Sequence, residues 1–169
     1  EEKEKYLEKI KELPESAILY LSVGAESPKV VEELRKEAVD VQWVEVYQPN
    51  SSFQGGLALR DSLIGGEDAA RTEMTEAQLK ETYLSHLKDL LDHMDIWNSL
   101  DLQSSKYVFP GEGKESALRE CYEDAKQLDV LEAKNYCISG KRDEIVEYLE
   151  KTDISSILVD EVKLSELSN

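Results

Sequence analysis

Cysteine, histidine and positive charge are all scarce in this chain, and each shortage removes a class of function. Two cysteines, Cys121 and Cys137, stand among 169 residues. They cannot make a disulfide framework, so a reducing, cytoplasmic setting is the simpler expectation. Lys and Arg number 20 against 37 Asp and Glu, giving a net charge of −17 and a pI near 4.5. The longest basic candidates carry as many acids as bases, so no stripe exists for a polyphosphate and nucleic-acid binding is not expected. No apolar run reaches the length of a membrane span and no signal peptide precedes the fold, so direct membrane insertion is not expected. The chain opens EEKEKYLEK without Met, as a trimmed chain or a domain cut from a larger protein would. Neither H-E-x-x-H nor G-x-S-x-G occurs.

What is present is a globular composition, 40% hydrophobic and 34% charged, enough for one substantial core. Tyr6, Leu7, Ile10 and Leu13 form the apolar stripe of a helix closed by Pro14, so residues 1–14 are set apart from an α/β domain at 15–169. Ala17 to Val23 reads as a strand, Gly24 as a tight turn, and Ser27-Pro28 as an N-cap followed by proline at the first helical position. Val30, Val31, Leu34 and Ala38 then line a helix, and VQWVEVY (41–47) alternates as a second strand. Residues 49–74, with paired glycines at 55–56 and 65–66, read as a long mobile connection. Thr75 with Gln78 makes a capping box, and Leu79, Leu84, Leu87, Leu91 and Met94 continue a helix through Trp97. KYVF (106–109) fits a short strand, and Leu118, Cys121, Tyr122, Ala125 and Leu128 mark another helix.

Residues 131–160 carry the clearest pattern. A half-buried strand runs to Ile138 and Gly140 breaks it. Asp143 is placed to cap a helix bearing Ile145, Val146 and Leu149, and Ile157-Leu158-Val159 reads as a strand buried on both faces. Strand, helix, buried strand is a βαβ unit. Residues 17–47 make a second one. SVGAESPKVVEEL (22–34) and VFPGEGKESALREC (108–121) echo each other as strand, Gly-containing loop and helix. The alternation predicts a three-layer α/β sandwich around a mostly parallel central sheet, Rossmann-like in kind.

In order and spacing, ILYLSV-GAES-PKVVEELRKEA, VQWVEVYQP and the stretch from Ala117 to Asp160, with Gly140 at its turn, resemble the universal stress protein family. The resemblance implies a regulatory or stress-response domain, often dimeric and sometimes appended to a membrane transporter, whose soluble part this chain would be. Two departures bear on its ligand. Val23 stands where ATP-binding members carry an acid, and no G-x2-G-x9-G-[ST] follows the last strand, where backbone N–H groups would cradle phosphates. No cofactor is expected.

Three further patterns bear on chemistry. Cys137-Ile-Ser-Gly140-Lys-Arg142 fits C-x-x-G-x-R, which looks like the loop of rhodanese-type sulfurtransferases. A thiol there, facing a helix start beside Lys141 and Arg142, would be stabilised as thiolate. Gly111-Glu112-Gly113-Lys114 lacks the spacing of a phosphate loop. His86 and His93, seven residues apart, lack the spacing of a metal pair, and no metal site is expected. In a parallel sheet the loops Gly24, Ala25, Ser27 and Gly140, Lys141, Arg142 would meet beyond the strand ends and could hold an anion or nucleotide weakly. The sequence thus predicts a non-catalytic regulatory domain working through dimerisation or a partner domain. A thiol enzyme using Cys137 and Arg142 is the alternative from another class.

Overall fold

The computed structural model describes residues 2–59, 74–99 and 112–164. Its elements are α1 (Glu2–Lys11), β1 (Ala17–Val30), α2 (Val31–Leu34), β2 (Asp40–Val46), β3 (Gly56–Ala58), α3 (Glu76–Asp92), α4 (Met94–Ser99), α5 (Glu112–Lys126), β4 (Glu132–Lys141), α6 (Arg142–Lys151) and β5 (Ile154–Leu164). The expected strands at 106–109 and the glycines at 65–66 lie outside the described residues.

The strands form one five-stranded sheet in the order β3-β2-β4-β1-β5. All its ladders are antiparallel: β1 with β4, β1 with β5, β2 with β3 and β2 with β4. The expected mostly parallel, Rossmann-like sandwich is therefore wrong. The error has a definite cause. Strands β4 and β5, joined through α6, do run in one direction, since both oppose β1. So do β1 and β2, which both oppose β4. Each pair is split by the strand inserted between its members, so no parallel ladder forms. Two interleaved split β-α-β units are the ferredoxin-like connectivity, here with β3, α3, α4 and α5 between the second and third strands of that pattern.

Splitting the units also changes the layers. Ala17, Leu19, Leu21 and Val23 on one side of β1 are buried, while Ile18, Tyr20 and Ser22 on the other are only half-buried. The buried side joins one core with Leu7 and Ile10 of α1, Leu79, Tyr83 and Leu87 of α3, Leu118, Cys121 and Ala125 of α5, and Ile145, Tyr148 and Leu149 of α6. Among the described residues the opposite face is left open. Such one-sided burial is ordinary for antiparallel sheets and rare for parallel ones, whose crossovers cover both faces. The run at 157–159, expected to be buried twice over, instead lies in the edge strand β5, where Leu158 is 60% exposed.

Local expectations at helix ends divide. The Thr75–Gln78 capping box is present in full, with Gln78 N–H donating to Thr75 Oγ1 (3.2 Å) and Thr75 N–H to Gln78 Oε1 (2.9 Å). Thr75→Ala removes that acceptor and is expected to cost about 1 kcal/mol, read as a lowered urea midpoint at unchanged m-value. Ser27-Pro28 does not start a helix. Both residues lie in the long strand β1, where the register with β4 shifts between Gly24 and Lys29, and Val30 precedes α2 without a side-chain cap. Lys141, rather than Asp143, occupies the cap position of α6. Within the expected loop at 49–74, Gly56–Ala58 form the edge strand β3.

Candidate functional site

The antiparallel pairing of β1 with β4 decides where the sequence-derived site residues fall. In a parallel sheet Gly24 and Gly140 would both lie at carboxyl ends of strands on one edge. Here Gly24 faces Asn135 and Gly140 faces Leu19, five positions along the same ladder, roughly 17 Å apart at the rise of a strand. Gly24, Ala25 and Ser27 thus sit at one end of the sheet, and Gly140, Lys141 and Arg142 at the other. They do not converge on an anion. Arg142 is also engaged, donating from Nη1 to the Leu13 carbonyl (2.7 Å) and from Nε to Asp143 (2.9 Å).

Cys137 lies in the middle of β4 opposite Ser22, rather than in a loop before a helix. Lys141 is four residues on, roughly 13 Å along the strand. The positive environment that C-x-x-G-x-R suggested is not assembled around the thiol. Its neighbour is instead Ser22, whose Oγ is 3.5 Å from Cys137 Sγ and donates to Asp160 Oδ2 (2.6 Å).

The open face brings Cys137 together with side chains that sequence reasoning passed over. The register places Trp43, Cys137, Ser22 and Leu158 in one row across four strands, with Glu45, Asn135, Gly24 and Ser156 in the next. Between them lies a shallow depression of about 290 Å³, lined by Trp43, Glu45, Asn135, Cys137, Ser22 and Leu158 among others. Among the described residues no Lys or Arg lines it. Asn135 Nδ2 donates to Glu45 Oε1 (3.4 Å), which holds the carboxylate beside the hollow. Trp43 lies against the backbone of Gly56 on β3, where a Cβ would overlap the indole ring. A glycine on an edge strand covered by a diagonal aromatic is a recurrent sheet device, and it leaves the indole 38% exposed beside the hollow. The signal for this surface was the strand VQWVEVY itself: with Val44 and Val46 inward, Trp43 and Glu45 must share the outward face.

The other two polar clusters are buried and hold the layers together. Gln48, just after β2, accepts from Tyr83 Oη of α3 (2.5 Å) and from Cys121 Sγ of α5 (3.2 Å). Its Nε2 donates to the Cys121 carbonyl (3.0 Å) and to Asp124 Oδ2 (2.9 Å). Burial pushes the Tyr83 phenol far above the ordinary tyrosine range, and the adjacent Cys121 adds to it. Burial likewise raises the Cys121 thiol, partly offset by its hydrogen bonds. In the second cluster Tyr136 of β4 and Tyr148 of α6 share a hydroxyl–hydroxyl bond (2.5 Å), and burial raises both phenols. Thiol and phenols kept protonated in a dry core are poor nucleophiles.

His93 ends α3 with Nδ1 2.7 Å from the Asp89 carbonyl. Among the described residues no group of three or more His, Cys, Asp or Glu is placed to hold a metal, and no helix is long and apolar enough to cross a membrane. The chain matches no protein-family model, no curated protein and no solved structure. The parallel sheet implied by the resemblance to universal stress proteins is also not the sheet observed.

Proposed function

We propose that this chain is a non-catalytic recognition domain of regulatory type, whose working surface is the open face of the sheet. One observation carries the reading. An otherwise helix-covered antiparallel sheet presents, on its uncovered side, a half-exposed tryptophan and a 60% exposed leucine around a polar hollow. Exposed aromatic and aliphatic side chains grouped around polar atoms are the usual composition of contact surfaces. The face does not suit stacking of nucleic-acid bases. Asp40, Glu45, Asp160 and Glu161 lie on its strands, against Lys141 and Lys163 at one end, beside Ile18. A phosphate backbone laid across the hollow would be repelled by Glu45 and Asp160.

The test is an amide and indole chemical-shift survey of the purified chain against a mixed panel of anions, amines, sugars and short peptides. Saturable shifts are expected at Trp43, Glu45, Asn135 and Leu158. Shifts confined to Gly140–Arg142, or none with any probe, would sink the reading.

A further inference from the structure

We propose that the depression at Trp43 and Glu45 receives a basic side chain, lysine foremost, presented by a partner polypeptide. The proposal rests on the open-face reading above and names what that face selects. Its chemistry is one-signed: the hollow offers a carboxylate, amide and hydroxyl oxygens, a thiol and an indole, and among the described residues no lining group carries positive charge. An anion would meet Glu45 uncompensated. A cation would meet a carboxylate held by Asn135 on one side and the indole of Trp43 on the other, where an ammonium within about 6 Å of the ring is attracted by its π face.

Trp43 and Leu158 stand at opposite ends of one row, with Cys137 and Ser22 between them. Three strand spacings, roughly 14 Å, separate them, so the methylene stem of a lysine can lie against the Trp43 wall while its head reaches polar atoms. Size decides between a free amine and a side chain. At about 290 Å³ and open to solvent, the hollow is too shallow to enclose a small molecule, since ligand sites bury most of their ligand. It is open enough to admit a side chain whose backbone stays outside. The net charge of −17 favours encounter with a basic segment at low ionic strength.

The experiment titrates ¹⁵N-labelled chain with the capped pentapeptide acetyl-Gly-Gly-Lys-Gly-Gly-amide, its norleucine and glutamate counterparts, and butylammonium as the free amine, following the Trp43 indole N–H. The lysine peptide is expected to bind saturably, about tenfold more tightly than the norleucine peptide, and to weaken as salt rises. Butylammonium is expected to bind more weakly than the peptide. Glu45→Gln is expected to reduce lysine-peptide affinity about tenfold. Glu81→Gln, the same charge change at an exposed position of α3, is expected to leave it unchanged. Equal binding of lysine and norleucine peptides overturns the cation assignment and leaves the open face as a recognition surface. Equal losses in Glu45→Gln and Glu81→Gln overturn it too, since the effect would then be the general charge of the chain. Butylammonium binding as tightly as the peptide overturns the partner-borne source. No saturable shift with any of these probes overturns the assignment, while the mixed panel above judges the recognition reading separately.

Discussion

Replacing Gln48 by Leu lowers the unfolding free energy by about 2–4 kcal/mol, measured as a fall in urea midpoint at constant m-value. The residue is 1% exposed, and its amide is the hub of the contact between the end of β2 and helices α3 and α5. Leucine fills nearly the same space but removes the acceptor of the Tyr83 hydroxyl and the Cys121 thiol, and the donor to the Cys121 carbonyl and Asp124. The Tyr83 hydroxyl and the Cys121 thiol then fall back on their 3.7 Å contact with each other, and the half-buried Asp124 loses its amide donor. A poorly satisfied buried group costs more than a hydrogen bond gains. Tyr83→Phe removes one donor and leaves Gln48 Oε1 with Cys121, so it is expected to cost only about 1 kcal/mol. If the two variants prove equally mild, the network contributes nothing as a unit and the layers are joined by apolar packing alone.

The second large effect is alkaline. Tyr83, Tyr136 and Tyr148 all have phenols raised above the ordinary tyrosine range, chiefly by burial, and the Cys121 thiol is raised for the same reason. Above the unfolded-state pKa, about 8.5 for Cys and about 10 for Tyr, the unfolded chain has released protons that the folded chain still holds. Their contribution is therefore complete below those values and is lost as pH rises towards the folded ones. Each such group gives a slope of about 1.4 kcal/mol per pH unit. Tyr83 and Tyr136, the two raised furthest, together should take away roughly 2 kcal/mol between pH 10 and 11. Urea unfolding from pH 8 to 11 reads the slope directly, and Tyr83→Phe should reduce it by about one group. A stability indifferent to pH across that range would mean that the phenols are wet in the folded protein.

Both effects belong to the buried side of the sheet, whereas the proposed recognition belongs to the other. Trp43 and Glu45 can therefore be changed with little expected consequence for the core: they project away from Val44 and Val46, which are fully buried on the opposite face of β2. Binding measurements on their variants then report contact rather than unfolding.

Local pattern was enough to determine local structure here. Leu79 and Leu87 mark the inner face of α3, Thr75 and Gln78 cap it, and Leu118, Cys121 and Ala125 mark the inner face of α5, because helical period and capping depend on residues a few positions apart. The two strand–helix–strand units were legible for the same reason. Which strand lies beside which was not. The insertion of β4 between β1 and β2, and of β1 between β4 and β5, pairs residues 87 to 147 positions apart, and such pairing leaves no period in the sequence. That single tertiary decision turned a supposed parallel sheet into an antiparallel one and separated the Gly24 and Gly140 segments to opposite ends. It also put Cys137 in mid-strand opposite Ser22 and, among the described residues, left one face uncovered. The sequence by itself determined helices α1, α3, α5 and α6, the presence of strands β1, β2, β4 and β5, and the acidic character of the chain. Only the tertiary structure brought Trp43, Glu45, Asn135 and Leu158 to one hollow, since they lie on three different strands whose order depends on burying one continuous core.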